Sequence, residues 1–344
     1  MMRWLPPSTP ARELRRLTQD GRAPVALQRR GAHLGHLLET EPAPPAPPDL
    51  AARWRSDRPI LLRGILRERL PAQRRAIAAT RRALERMRQG GSFAAFVVRR
   101  LREHSALRLS GSTVDLADER EIEKVYARVR GAPELYAKLS WISLDERDHS
   151  LRIRFSHGVE QLHDWWRDRR GMRAANRYAD ALFPECAAVM GSKPLRALLG
   201  RLLPGAADLC ERIVYNNAPH GGAVFHCDAE PTQRGVLFSQ LQGATAWLAL
   251  PRRDLVACAA RLLRTTPVRA AAQLDRDAPR VQELINRTPR FAALLVEHGA
   301  AFVVRAGDVM LLPNHGPART CWHSVFAVGR APTLAHSYGV FARV

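Results

Sequence analysis

Lysine and cysteine are both scarce in this sequence of 344 residues. Lys124, Lys138 and Lys193 are the only lysines, and arginine supplies the remaining basic charge. The five cysteines are dispersed and never form a CxxC pair, which argues against a zinc knuckle or a disulfide framework. No run of about 20 apolar residues occurs, so a membrane span is not expected. The first residues also lack the apolar segment of a signal peptide, and the sequence therefore predicts a cytoplasmic protein.

Two nucleotide- and ester-handling motifs are missing as well. No Gly-rich phosphate loop of the Walker type and no G-x-S-x-G segment is present, which argues against an NTPase and an α/β-hydrolase.

Basic residues outnumber acidic ones by 54 to 33, giving a formal net charge of +21. Residues 51–110 hold 16 arginines and four acidic residues, so over half of the excess lies in this region. Such a concentration attracts polyanions, and it predicts an acidic macromolecule or RNA as a partner. A solvated basic face explains the same composition equally well, and part of the arginine excess is what a GC-rich genome would produce.

The pattern along the chain divides it into an N-terminal arm and one large domain. Residues 1–48 form the arm, which ends in a Pro-rich linker, and residues 49–344 form the domain. The first half of the domain is helix-rich, with helices predicted over 70–104, around 119–129, over 159–166 and over 190–203. Eight short strand-like segments follow, interrupted by a helical insertion at about 254–298. This order predicts an α+β fold with a barrel or jelly roll.

One pair of residues in the second half has the spacing of metal ligands. His226 and Asp228 follow an apolar strand, and side chains two apart in a strand point to the same face. A histidine and a carboxylate side by side supply two of the three ligands of the facial triad that holds Fe(II). His323, on a distant strand, is the candidate for the third ligand. Cys227 and Cys321 are expected to face away from the metal.

Four segments in order resemble the JmjC-like, cupin-fold family of Fe(II)- and 2-oxoglutarate-dependent hydroxylases. They are Arg58–Gly64, His226-x-Asp228, Gln240 to Gly243 with Trp247 and Pro251, and Gly307-Asp308 through Pro313 to Trp322-His323. Together they span nearly the whole chain beyond the Pro-rich linker. The resemblance implies a double-stranded β-helix barrel that binds Fe(II), 2-oxoglutarate and O2, and that hydroxylates a C–H bond of a protein, an RNA or a small molecule. It also assigns His226, Asp228 and His323 as both metal-binding and catalytic.

The sequence departs from the family where 2-oxoglutarate binds. The family often places a Lys or Arg at the position of Thr245 and a Thr or Ser at that of Ala223. A buried dicarboxylate needs a cation or several hydrogen-bond donors. The candidate cosubstrate-binding residues are Thr245, Tyr215, Asn217, Gln240, Arg330 and His336.

Two further interpretations remain open. Thr245 and Ala223 favour a non-catalytic cupin-fold protein that binds a ligand or nucleic acid and has lost 2-oxoglutarate turnover. A metal-dependent cupin with another chemistry, such as isomerisation or cosubstrate-free dioxygenolytic cleavage, is the third reading. The sequence does not identify the substrate or the oligomeric state.

Overall fold

A computed structural model of the chain describes residues 50–143, 148–158, 167–203, 205, 207–228 and 230–342. The predicted N-terminal arm and the helix predicted over 159–166 lie outside these residues. The helices are α1 (Leu50–Arg55), α2 (Leu70–Arg88), α3 (Phe93–Leu101), α4 (Arg169–Leu182), α5 (Ala187–Met190), α6 (Lys193–Leu202), α7 (Arg252–Leu263), α8 (Pro267–Asp275), α9 (Pro279–Arg287) and α10 (Pro289–Glu297).

The strands are β1 (Ile60–Leu62), β2 (Arg108–Thr113), β3 (Glu121–Arg128), β4 (Leu135–Trp141), β5 (Leu151–His157), β6 (Ala207–Asn216), β7 (Gly222–His226), β8 (Gln233–Gln242), β9 (Ala244–Pro251), β10 (Ala301–Arg305), β11 (Val309–Pro313), β12 (Cys321–Val328) and β13 (Leu334–Ala342). All eight strands predicted in the second half are present. The mixed α+β class is confirmed.

Two antiparallel sheets organise the described chain. The larger sheet has nine strands in the order β1-β11-β8-β13-β6-β5-β4-β3-β2, and the smaller has four in the order β10-β9-β12-β7. Side chains from both sheets share one interior cluster, with Phe238 and Met310 from the larger sheet and Trp247, Phe302 and Val325 from the smaller. Since alternate residues of a strand point to opposite faces, each sheet has an inner face toward this cluster and an outer face.

Helices cover both outer faces. Helices α2, α3 and α4 pack on the larger sheet through a core that contains Phe93, Tyr178 and Phe183. Helices α7 to α10 lie between β9 and β10 in the chain and cover the smaller sheet through a core that contains Leu255 and Phe291. No helix within the described ranges is both long and apolar enough to cross a membrane.

The helix predicted around 119–129 is wrong, because this segment forms strand β3. It pairs with β2 on one side and β4 on the other. Val125 and Ala127, two residues apart, are fully buried in the core of the larger sheet. The long-range pairing and this two-residue burial pattern override the local preference for helix. Strand β5 and helix α4 were not predicted from the sequence, and both matter for the sites described below.

Candidate metal centre

Neighbouring strands of the smaller sheet bring two histidines together. His226 ends β7 and lies directly opposite His323 of β12 in the antiparallel pair. The register shifts between this pair and the pair formed by Val325 and Ala223, so that three steps along β7 match two along β12. A bulge of this kind redirects the side chains beside it and is common next to functional sites. Asp228 follows β7 by two residues and completes a cluster of three.

The distances in this cluster fit a single ion. Asp228 Oδ2 lies 3.6 Å from His323 Nε2, and Asp228 Oδ1 lies 3.9 Å from His226 Nε2. Candidate ligand atoms of the three residues all lie within 4.8 Å of one another. Ligand atoms at about 2.0–2.2 Å from one metal ion are about 3–3.5 Å apart, so a small inward movement would close the site. The structure therefore brings together the three residues that the sequence predicts as ligands.

Hydrogen bonding fixes which nitrogen of His226 faces the carboxylate. Its Nδ1 lies 2.8 Å from the carbonyl oxygen of Val224, which can only accept a hydrogen bond. Nδ1 therefore carries the proton and donates, and the lone pair of Nε2 is directed toward Asp228. Metal-binding histidines characteristically use the other ring nitrogen in this way.

Burial keeps His323 neutral. Desolvation, and then repulsion from a charged His226, lower the pKa of His323 to about 3, although Asp228 opposes the shift. A neutral imidazole is the form that binds a metal. Trp247 lies along this ring, with the centroids 5.4 Å apart and the planes at 19°, and it restricts the orientation of His323.

The centre is open toward solvent on the side of β7. The side chains of His226 and Asp228 are 38% and 37% exposed, whereas that of His323 is 5% exposed. Val224, which shares the face of β7 with His226, is also exposed. Two candidate ligands are thus accessible to solvent, and the third lies in the interior.

Polar residues of the larger sheet border the same interior. Tyr215 on β6 has its pKa raised above the usual range, chiefly by burial and further by the Asp228 carboxylate, and its phenol is hydrogen-bonded to Ser337. Arg152 on β5 pairs with Tyr215 across the sheet and contributes positive charge there. Burial raises the pKa of Glu211 to about 8; Arg154 opposes this shift, and Asp228 is among the carboxylates that add to it.

Arg152, Ser337 and Glu211 were missed in the sequence. The segment Leu151-Arg-Ile-Arg-Phe155 alternates apolar and basic residues, which is the signal of a half-buried strand. Leu151, Ile153 and Phe155 do pack in the core, so Arg152 and Arg154 point to the opposite face of β5.

Two of the predicted cosubstrate-binding residues, Thr245 and Gln240, are hydrogen-bonded to each other. The Thr245 hydroxyl donates to Gln240 Oε1 at 2.9 Å and accepts from the Trp247 indole N–H at 2.9 Å. The Gln240 amide donates to the carbonyls of Gln242 and Leu334. These three side chains form one satisfied network in the interior of the sandwich. Asn217 is buried just beyond β6, and its Oδ1 has no hydrogen-bond partner among the described residues.

His336 and Arg330 do not reach the centre. His336 points to the outer face of the larger sheet, where its Nδ1 lies 3.3 Å from Cys186 Sγ and its Nε2 lies 3.6 Å from Glu185 Oε1. Arg330 is exposed in the turn after β12. Val328 lies five residues after His323, so that turn is roughly 16 Å along the strand from the candidate ligands.

The expectation that Cys321 faces away from the metal is also wrong. Cys321 and His323 are two apart on β12 and therefore share a face, and Cys321 packs in the interior cluster with Trp247 and Val325. Cys227 lies between the two ligands of the HxD segment, outside any strand, and is half-buried.

Comparisons with known proteins give a structural likeness but no match in sequence. No protein-family model matches the chain, and no curated protein matches it in sequence. Among solved structures the chain is similar to YcfD, a ribosomal oxygenase from Escherichia coli, with a TM-score of 0.31 and 12% identity. The alignment covers 83% of this chain and 48% of the other, so the chain spans about half the length of that structure. A TM-score this low leaves the functional assignment to the geometry of the site.

Proposed function

We propose that the chain is an Fe(II)- and 2-oxoglutarate-dependent oxygenase that hydroxylates a C–H bond of a protein, an RNA or a small molecule. The observation that carries the proposal is the convergence of His226, Asp228 and His323 at the open end of the sandwich interior. Two imidazoles and one carboxylate form the donor set that holds Fe(II) by one face and leaves positions open on the other.

The strand order supports a double-stranded β-helix as the core. Strands β6, β8, β11 and β13 are neighbours in the larger sheet, and β7, β9, β10 and β12 make up the smaller one. Successive strands thus pass between the sheets, except at the β9–β10 connection that holds the four insertion helices. This alternation supports a jelly-roll core, which would account for ligands that lie 97 residues apart in sequence meeting at one point.

The residues of the centre fit the proposed metal. His226 and His323 would bind through Nε2 and Asp228 through a carboxylate oxygen. The Val224 carbonyl orients the His226 ring, and burial keeps His323 neutral. Fe(II), when bound, supplies the redox chemistry that couples decarboxylation of 2-oxoglutarate to hydroxylation. The protein would hold the ligands, keep Trp247 against His323 and leave the exposed side near Val224 accessible to a substrate.

For the cosubstrate, we propose that Tyr215, Ser337 and Arg152 bind the distal carboxylate. They supply two hydroxyls and one guanidinium on the larger sheet, within the electrostatic reach of Asp228. A buried carboxylate needs such donors, and the neutral network of Thr245 and Gln240 has no spare cation. Residues on β5, β6 and β13 would thus bind the carboxylate that the family binds through a residue at position 245.

The test combines metal binding with turnover. At a hundredfold excess over its Kd, a metal ion adds about 2.7 kcal/mol to the stability of the folded chain. With an unfolding entropy of about 2.1 cal/mol/K per residue, this corresponds to a rise in Tm of about 4 °C, measured anaerobically with Fe(II) or with Co(II) as a stable substitute. His226→Ala should abolish the rise and the formation of succinate from 2-oxoglutarate. His298→Ala, an exposed histidine on the insertion, serves as the control. Equal succinate formation by wild type and His226→Ala would overturn the proposal.

The Thr245 network favours one alternative, a cupin-fold protein that binds metal and a ligand without turnover. The family anchor position is neutral and saturated here, so loss of 2-oxoglutarate binding is a specific outcome. A Co(II)-dependent rise in Tm with no further effect of 2-oxoglutarate, and no 2-oxoglutarate-stimulated O2 uptake, would support this alternative.

A further inference from the structure

Two arginine-lined recesses lie on the helical face of the larger sheet. The first, of about 500 Å³, is formed by α4, α5, α6 and β6 and has four arginines in its lining: Arg173, Arg177, Arg196 and Arg212. The second, of about 420 Å³, is formed by α2, α3 and the end of α4 and also has four: Arg82, Arg86, Arg99 and Arg100. Both are separated from the metal centre by the larger sheet, because these helices pack on its outer face.

The recesses adjoin each other through one ion pair. Arg212, nearly buried in the first recess, is bonded to Asp180, which lines the second. Helix α4 forms a wall of both, with Arg173 and Arg177 toward the first and Asp180 toward the second. The two cavities are therefore successive stretches of one surface.

Most of the arginines on this surface lack a counter-charge. Within the ranges that the structure describes, no carboxylate forms an ion pair with any of six of them: Arg82, Arg86, Arg99, Arg173, Arg177 and Arg196. The carboxylates in the two linings are three, Glu103, Asp180 and Asp208, and Asp180 is already engaged by Arg212. Like charges one helical turn apart destabilise a helix slightly, so the unpaired groups on α2 and α4 favour binding of an anion.

The spacing matches a chain with regularly repeated charges. Arg82 and Arg86 on α2, and Arg173 and Arg177 on α4, are pairs at i and i+4, with about 5–6 Å between their Cβ atoms. Guanidinium groups bind phosphate oxygens in a bidentate manner. Each recess is large enough for one or two nucleotides but not for a duplex. Of the two rings in the lining of the second recess, Phe96 is buried beneath Arg100, and only the imidazole of His104 is exposed.

We propose that the two recesses form one binding surface for the phosphate backbone of single-stranded nucleic acid. The surface binds without base preference, since phosphate contacts carry no sequence information. It extends the basic region predicted over 51–110 to Arg173, Arg177 and Arg196, which lie outside that range. Because the larger sheet separates it from His226 and His323, this surface tethers the protein to nucleic acid and does not present a base to the metal.

The test is the salt dependence of oligonucleotide binding by the full chain. Binding of fluorescein-labelled oligo-U and oligo-dT is followed by anisotropy at several KCl concentrations. For single strands, each phosphate contact contributes about 0.7 to the slope of log K against log salt. Arg82→Gln/Arg86→Gln and Arg173→Gln/Arg177→Gln should each lower the slope by about 1.4, and the quadruple variant by about 3, with a Kd at low salt at least about tenfold weaker.

Matched variants control for net charge. Arg280→Gln/Arg290→Gln removes two exposed arginines from the insertion helices and should leave the slope unchanged. Asp228→Asn should also leave it unchanged, which separates this proposal from the oxygenase proposal. Circular dichroism checks that each variant is folded. The proposal fails if the quadruple variant keeps the wild-type slope, or if polyglutamate of equal charge competes as well as the oligonucleotides, which would indicate an acidic protein partner.

Discussion

Replacing Trp247 by phenylalanine removes one hydrogen-bond donor from the interior of the sandwich and keeps an aromatic ring beside His323. Trp247 is 1% exposed, and its indole N–H donates to Thr245, which in turn donates to Gln240. The neighbouring ring of Phe238 lies edge-on at 4.7 Å between centroids. The substitution therefore tests whether the Trp247-Thr245-Gln240 network stabilises the fold as a unit.

The magnitude follows from the contacts that are lost. Trp247→Phe loses one neutral hydrogen bond, about 1 kcal/mol, and leaves a small cavity that costs about 1 kcal/mol more. Thr245→Val leaves the indole N–H and the Gln240 oxygen unpaired in the interior, at about 1–3 kcal/mol for each group. In the double variant only the Gln240 oxygen remains unpaired, so its cost should fall short of the sum of the single variants by about 1–2 kcal/mol.

Urea unfolding followed by far-ultraviolet circular dichroism measures the four free energies of this cycle. Trp247→Phe alone should lower Tm by about 3 °C, since the unfolding entropy is about 2.1 cal/mol/K per residue. Affinity for Co(II) should stay close to that of wild type in Trp247→Phe and fall about tenfold in Trp247→Leu, which removes the ring that orients His323. Additivity of the two single variants to within about 0.3 kcal/mol would refute the coupled network.

Two other predictions concern His336 and Asn286. Burial lowers the pKa of His336, but the Cys186 sulfur and the Glu185 carboxylate more than offset this effect and raise the pKa to about 9. The pKa in the folded state therefore exceeds the usual 6.5, so protonated His336 stabilises the fold fully below pH 6.5. This stabilisation of the folded state is lost as the pH rises to 9. Urea unfolding across this window should show a loss on the order of 3 kcal/mol in wild type and a flat profile in His336→Gln, and a wild-type profile that rises with pH would contradict the ion pair. Asn286 Oδ1 accepts from the backbone N–H of Phe225 at 2.7 Å, so Asn286→Ala leaves that buried donor unpaired, at about 1–3 kcal/mol, and should weaken Co(II) binding severalfold. Gln282→Ala is its control, because it removes the partner behind Asn286 and an exposed hydrogen bond to Asp277 but keeps the Asn286–Phe225 contact. Equal Co(II) affinity in the two variants would mean that the contact does not position β7.

The sequence predicts the eight strands of the second half and the candidate metal ligands because both depend on short-range pattern. His226 and Asp228 share a face through the two-residue period of an extended chain, and this relation does not depend on the rest of the fold. His323 was chosen from its local motif, and the structure brings it opposite His226 through the pairing of β7 with β12. The helix prediction around 119–129 is wrong for the opposite reason, because pairing with β2 and β4 outweighs the local helix preference of this segment.

The residues around the ligands were harder to predict because their direction depends on tertiary register. His336 belongs to a correctly predicted strand, yet it faces outward while its neighbour Ser337 faces the interior, and one residue of register decides between them. Arg330 follows the end of β12 and lies too far along the strand from His323 to reach the candidate site. Arg152 was missed because β5 joins the larger sheet next to β6, a pairing between segments about 60 residues apart that no local pattern reveals.

Strand β7 connects the helical insertion to the candidate metal ligands. It is the edge strand of the smaller sheet and pairs only with β12 among the described strands, so one row of its backbone groups has no strand partner. The helical insertion provides partners for this strand. Asn286 of α9 accepts a hydrogen bond from the Phe225 N–H, and Phe291 of α10 packs edge-on against the Phe225 ring with the centroids 6.1 Å apart. Phe225 directly precedes His226, so these contacts limit the movement of one ligand relative to His323. The inner face of β7 stays exposed at Val224 and His226 while these contacts hold its outer face in place.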